Sequence, residues 1–157
     1  MNKITTSKED YLKAIWTLSE RETGGRNHAA TKDLAKRLSV SPPAVSRMLK
    51  QMQNQSLVTH IPYFGVSLTA KGREVALHIV RRHRLIELFL TRILNYSPQS
   101  VHAEAERLEH HVSDEFEAKI DALLGFPDKC PHGSPIPNRN GGFKALNNSV
   151  ESLWTAL

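Results

Sequence analysis

The chain has 157 residues, 39% hydrophobic and 24% charged, with a formal net charge of +5. That suits a globular protein with a modest core, folded as one domain or two small ones. No apolar run approaches the ~18 residues of a membrane span, and the N-terminus MNKITTSKED has no hydrophobic signal core, so a cytoplasmic protein without a membrane partner is expected.

From Ser7 to Glu20, the spacing of Tyr11, Ala14, Ile15 and Leu18 predicts a helix, and RETGGRN reads as a turn. ATKDLAKRL predicts a short helix with Thr31 as its N-cap and Asp33 in the first turn. SVS breaks it, and Ser41 can cap a second helix, PPAVSRMLKQMQNQ, because Pro42 and Pro43 are tolerated where N–H groups lack helical acceptors. LVTHIP and GVSLT read as two short strands joined through Tyr63, Phe64 and Gly65. A long helix runs from Ala70 to about Leu94. NYSPQS is a turn, with Ser97 as N-cap and Pro98 as the first helical residue of the next helix. VHAEAERLEHHVSDE then reads as amphipathic helix, and a further short helix runs from near Ser113 to a stop at Gly125. A Pro/Gly-rich connector follows. In the tail, Phe143, Leu146, Val150, Leu153, Trp154 and Leu157 share a heptad-like spacing; such an apolar stripe is expected to dock or else to stay disordered and aggregation-prone, the alternative being a remnant without a partner. The only cysteine, Cys130, excludes an internal disulfide framework.

Charge divides the chain. Arg26 to Lys50 holds six Lys or Arg against one Asp, whereas Val101 to Asp121 holds seven Asp or Glu against two Lys or Arg. The first segment suits an anionic partner and the second suits cations, although two solvated helix faces would look the same by charge alone.

Helix, SVS turn, helix and two-stranded ribbon is the order of a winged helix-turn-helix. Leu34, Ala35 and Leu38 would pack on Val45, Met48 and Leu49, leaving Pro43, Ser46, Arg47 and Lys50 on the face a recognition helix presents to the major groove. Arg47 can read guanine or grip phosphate, and Pro42 and Pro43 can meet thymine methyl groups. Lys32, Lys36, Arg37 and Lys50 supply phosphate charge. With Thr31, Ser41 and the wing-tip residue Tyr63, these form the expected DNA-contacting set.

The acidic helix poses a different question. At ~100° per residue, with His102 at zero, Glu109 falls near −20°, Glu106 near 40° and His110 near 80°. Val101, Ala105, Leu108 and Val112 fall between about −60° and −120°, so the polar stripe borders the apolar one. His111 faces away. Carboxylates and imidazoles half-buried together need a counter-charge. A divalent cation would provide one, with His83 and Glu87 closing the site from the long helix and Asp10 from the first. Surface pairing with Arg107 or Arg84, or a hydrogen-bonded core histidine, would explain any one residue, but three helices offering the same chemistry favours metal.

Together these features resemble the diphtheria toxin repressor family of metal-dependent bacterial regulators. The resemblance covers roughly Thr5 to Pro137. It rests on SKEDYLKAIWTL, SVSPPAVSRMLKQM, RRHRLIELFL and, above all, VHAEAERLEHHVSDE followed by LLGFPDKCPHG. It implies a mainly α protein: an N-terminal winged helix-turn-helix over 1–75, an all-helical metal-binding and dimerisation domain over 76–142, and a short tail over 143–157. It also implies a primary site of Asp10, Glu106, Glu109 and His110, with His83 close by. The iron-responsive branch has Met and Cys where Asp10 and Glu106 stand. Carboxylates there mark the manganese branch, and hard oxygen ligands suit Mn²⁺. The CPHG stretch resembles members in which the residues matching Cys130 and His132 join Glu87 in a second site, and His102 matches an ancillary ligand of the iron-type branch.

Two departures stand out. Lys13 occupies a position that holds Glu in bacillus-type manganese regulators, which argues against a paired-manganese site of that type. Longer relatives carry an SH3-like domain after the connector, and the 15 residues beyond Gly142 are too few for one.

The expected function is a manganese-dependent transcriptional repressor. A homodimer would bind palindromic operator DNA when Mn²⁺ is bound and control metal-uptake genes. An Fe²⁺-responsive regulator of the same family is the alternative, and Zn²⁺ is expected to bind in vitro. The rival class is a di-metal carboxylate enzyme. Such bundles use Glu-x-x-His on two helices, and that motif occurs nowhere in this chain, so no enzyme is expected.

Overall fold

The structure is a computed structural model, and it describes residues 4–21 and 27–143. Helix α1, Thr6–Trp16, runs on into a π-helical turn, Thr17–Arg21. Its N-cap is Thr5, whose hydroxyl accepts from the Lys8 N–H at 3.3 Å. Helix α2, Thr31–Leu38, corrects one expectation: Ala30 is the N-cap, without a side-chain bond, and Thr31 is the first helical residue. The reason lies one residue earlier. Ala29 exchanges two backbone hydrogen bonds with Val66, at 2.7 and 2.9 Å, and this bridge keeps the chain extended as far as Ala30.

Ser39 closes α2 in the left-handed conformation, φ 54°, where glycine would fit without strain. Helix α3, Pro42–Asn54, starts as expected, with the Ser41 hydroxyl accepting from the Ala44 N–H at 3.3 Å. Strands β1, Val58–Ile61, and β2, Gly65–Leu68, pair antiparallel with Val58 opposite Leu68. Gly65 has φ 119°, and a Cβ there would sit 2.3 Å from the Ala29 carbonyl oxygen, so the bridge to Ala29 requires glycine.

Helix α4, Ala70–Arg92, is capped by the Thr69 hydroxyl, which accepts from the Gly72 N–H at 3.1 Å. Helix α5 spans only Val101–Leu108. Ser97 and Ser100 pair their hydroxyls at 2.9 Å and close a separate turn, so Ser97 is not the N-cap and Pro98 lies outside the helix. The acidic helix is also not continuous to Glu115. Residues 109–111 form a turn, and Ser113 caps helix α6, Asp114–Leu123, by accepting from the Phe116 N–H at 3.1 Å. Glu109 keeps right-handed helical dihedrals, φ −58° and ψ −28°, so its wheel position holds.

Two apolar clusters form the core. The first packs α1, α2, α3 and the ribbon onto Ala76, Leu77 and Val80 of α4. The second packs α5, α6 and Ile136 onto Leu85, Ile86, Leu88 and Leu90 of the same helix. The fold is thus mainly α: a winged helix-turn-helix followed by a helical unit, with α4 common to both. Phe143 stacks on Trp16, ring centroids 6.2 Å apart. The other apolar tail residues, Leu146 to Leu157, lie outside the described residues. Among the described residues, no helix is long and apolar enough to cross a membrane.

Candidate metal centre

Four elements bring donors together. Asp10 lies on α1, His83 and Glu87 one turn apart on α4, His102 and Glu106 on α5, and Glu109 and His110 in the turn that follows. Buried Leu85, Ile86 and Leu88 anchor α4 so that His83 and Glu87 point inward, and Glu87 is only 2% exposed. A cleft of about 690 Å³ opens between α1, α2 and α5, lined by Asp10, Lys13, Arg37, His102, Glu106 and His110, among others.

In the first cluster, Asp10, Glu109 and His110 each offer a ligand atom within 4.8 Å of the others. His110 Nε2 lies 2.8 Å from Asp10 Oδ1 and 3.4 Å from Glu109 Oε1. Glu109 is fully buried at 0%. Lys13 donates to its Oε1 at 2.7 Å, and His83 Nδ1 lies 2.5 Å from its Oε2. Glu106 does not join this cluster. It is 52% exposed at the cleft mouth, 3.1 Å from His102 Nε2 and 4.0 Å from Lys13 Nζ.

The second cluster is built around Glu87. One set is His83, Glu87 and His102, and another is Glu87, Cys130 and His132. Glu87 Oε1 meets His83 Nε2 and lies 3.0 Å from His102 Nδ1, while Oε2 lies 3.1 Å from His132 Nδ1. Cys130 and His132 arrive on a tight turn closed by the Cys130 N–H donating to the Ser134 carbonyl at 2.9 Å. Arg81 and Arg84 tie that connector to α4 by donating to the carbonyls of Pro137 and Pro135.

Titration reflects the crowding of charge. Hydrogen bonding to Asp10, then to Glu9, raises His110 to about 9 against the opposing effect of burial. Burial pushes Glu87 up, but hydrogen bonds and charge from His83, with help from His102 and His132, outweigh it and hold Glu87 down at about 2. His83 is raised: burial opposes this, and its bonds to Glu109 and Glu87 prevail. His83 and His110 are therefore held towards their charged form by the carboxylates around them. The donor chemistry fits a divalent ion. Two carboxylates and one imidazole converge at the first cluster, and the buried Nδ1 of His110 has only the carboxylate of Glu9 near it, at 3.7 Å. Oxygen-rich donors suit a hard ion such as Mn²⁺, and the thiol and imidazoles of the second cluster suit a softer one.

Sequence reasoning missed Glu9, whose Oε2 lies 3.7 Å from His110 Nδ1, although its place beside Asp10 was a signal. It also missed buried Arg81, which donates to Glu117 and Asp121 at 2.8 Å each. In the other half, Ser41, Pro42, Pro43, Ser46, Arg47 and Lys50 are all exposed along α3, Lys32 is exposed on α2, and Tyr63 is fully exposed at the wing tip. Thr31 is half-buried, and Arg37 is exposed but lines the cleft.

Comparison with known proteins matches two family models to the chain. The iron dependent repressor N-terminal DNA binding domain matches residues 3–66, and the iron dependent repressor metal binding and dimerisation domain matches residues 69–138. The transcriptional regulator MntR of Escherichia coli O157:H7 is 40% identical over 126 residues, covering 80% of this chain and 75% of that protein. The iron-dependent repressor IdeR of Mycobacterium tuberculosis is 34% identical over 137 residues, covering 87% of this chain. The chain spans only 58% of the length of IdeR. A solved manganese-dependent transcriptional repressor in complex with manganese superposes with a TM-score of 0.76 at 47% identity, over 85% of this chain and 60% of that one.

Proposed function

The chain belongs to the iron-dependent repressor family, and from that premise we propose that it is a manganese-dependent transcriptional repressor rather than an enzyme. It acts in the cytoplasm as a homodimer on palindromic operator DNA and controls metal-uptake genes. The observation that carries the metal assignment is the convergence of Asp10, Glu109 and His110 on one point, with oxygen donors in the majority. A bound Mn²⁺ supplies the positive charge that holds these three donors together. Fe²⁺ is the alternative ion.

The chain's own residues divide the work. Asp10 carries the signal on α1, which packs in the same core as the recognition helix. Glu109 and His110 offer the opposing donors at the end of α5, and Glu106 guards the mouth. Glu87, with His83, His102, Cys130 and His132, forms a second, softer site. Metal can favour the DNA-competent arrangement only through its higher affinity for it. Arg47 and Ser46 read bases, and Lys32, Arg37 and Lys50, with Thr31, Ser41 and Tyr63, meet the backbone, while Pro42 and Pro43 touch thymine methyl groups. The DNA-binding unit is 1–75 and the metal-binding unit 76–142. Leu94, Phe116, Leu123 and Phe126 leave apolar surface exposed on the second unit, which suits a dimer contact. Half-sites then lie about one DNA turn apart, or a multiple of it.

The test is selection of duplexes from a random-sequence library with Mn²⁺, with Fe²⁺ and with chelator, under reducing conditions. A palindrome enriched with Mn²⁺ and lost on chelation is expected. Equal enrichment in chelator would refute metal dependence, and enrichment with Fe²⁺ alone would establish the alternative ion.

A further inference from the structure

Each oxygen of buried Glu109 already has a cationic partner: Lys13 Nζ at 2.7 Å on Oε1 and His83 Nδ1 at 2.5 Å on Oε2. The Lys13 ammonium stands among three donors, since His83 Nδ1 is 3.5 Å away and Glu106 Oε1 is 4.0 Å away. It reaches this point from α1, one turn beyond Asp10, so Asp10 and Lys13 share a helix face. Its side chain is only 20% exposed.

The Glu109 oxygen that faces His110 Nε2, at 3.4 Å, is the Oε1 that already takes the Lys13 ammonium, so an ion held by Asp10, Glu109 and His110 would meet that ammonium there. Two positive groups on one oxygen repel, and a part-buried cleft screens that repulsion less than water does. We propose that Lys13 is a resident cation that sets the metal affinity of the cleft. Without metal, it neutralises Glu109 and holds the end of α5 to α1. With metal, it competes for the same oxygen and raises the ion concentration at which the cleft fills. This rests on the assignment of Asp10, Glu109 and His110 as the metal donors. A merely structural ion pair predicts the reverse, because removing it would loosen the donors and weaken binding.

The experiment is calorimetric titration of Mn²⁺ into the metal-free full chain, paired with thermal melts with and without Mn²⁺. The variants are Lys13→Met, Lys13→Arg, and Lys119→Met, the last removing a charge at an exposed position of α6. Lys13→Met is expected to bind Mn²⁺ roughly tenfold more tightly or better. Its metal-free form should melt lower than wild type, and its gain on adding Mn²⁺ should be larger. Lys13→Arg and Lys119→Met should bind as wild type does. Unchanged or weaker binding by Lys13→Met overturns the proposal. If that variant does not fold without metal, Lys13→Gln is read by the same criteria. Asp10→Ala and His110→Ala separate the two levels. If both leave Mn²⁺ binding intact, the donor assignment fails and this inference with it. If both abolish binding while Lys13→Met does not tighten it, only the role of Lys13 fails.

Discussion

Glu109 and Glu87 face each other across one imidazole. His83 presents Nδ1 to Glu109 at 2.5 Å and Nε2 to Glu87. The two donor clusters therefore share a charged bridge. His83→Ala should leave two buried carboxylates short of a partner and destabilise the metal-free protein by about 3 kcal/mol. Denaturant unfolding checks this. A loss near zero would mean that the carboxylates find other partners.

The raised His110 gives a pH dependence with a definite sign. A histidine held at about 9 instead of 6.5 contributes stability that is fully present below pH 6.5 and is lost as pH rises through 9. Glu87, held at about 2 instead of 4.5, contributes stability present above pH 4.5 and lost as pH falls through 2. For these two groups, the metal-free protein should be most stable between those limits. Mn²⁺ must displace the His110 proton, so its affinity should rise up to about tenfold per pH unit between pH 7 and 9. Melting temperature and calorimetric proton release are the measurements.

His110 and His111 should behave as opposites. The His110 side chain is 5% exposed and faces Asp10, whereas His111 is exposed. His110→Ala should abolish Mn²⁺-dependent DNA binding, and His111→Ala should leave it nearly intact. Equal damage from the two would contradict this placement of the turn.

On α3, Arg47→Ala should relax base preference at one operator position by about 1–3 kcal/mol. Lys50→Ala should weaken all sequences alike and reduce the salt slope by about 1. A uniform loss from Arg47→Ala across operator variants would make Arg47 a phosphate contact.

Metal choice can be tested by softening two oxygen donors. Asp10→Met with Glu106→Cys should shift activation from Mn²⁺ towards Fe²⁺. Since Glu106 stands at the mouth beside His102, Asp10→Met alone should account for most of the shift. An unchanged metal preference in the double variant would remove ligand softness as the selector.

The helices were legible where apolar spacing repeats over several turns, as in α1, α3 and α4. The break after Leu108 was hidden because Glu109 keeps helical dihedrals and the wheel runs through it. The bridge from Ala29 to Val66 involves one residue on each side and leaves no periodic trace. Lys13 showed as an odd residue, but its contact with Glu109 spans 96 positions and no local pattern encodes it. Arg81 sits in RRHR, which reads as solvated charge, yet its partners Glu117 and Asp121 lie 36 and 40 residues on and bury it. That Asp10, Glu109 and His110 lie together was legible because carboxylates and imidazoles recur on separate elements of the chain.

Helix α4 lends its first turns to one core and its last turns to the other. A cut between residues 75 and 76 would strip the first core of Ala76, Leu77 and Val80, which are part of it. A fragment ending there should be a poor substitute for the DNA-binding unit, and proteases should find no permissive site between the units along α4. The boundary between the two units is therefore not a point in the chain, and exchange of modules between relatives would have to carry the whole helix.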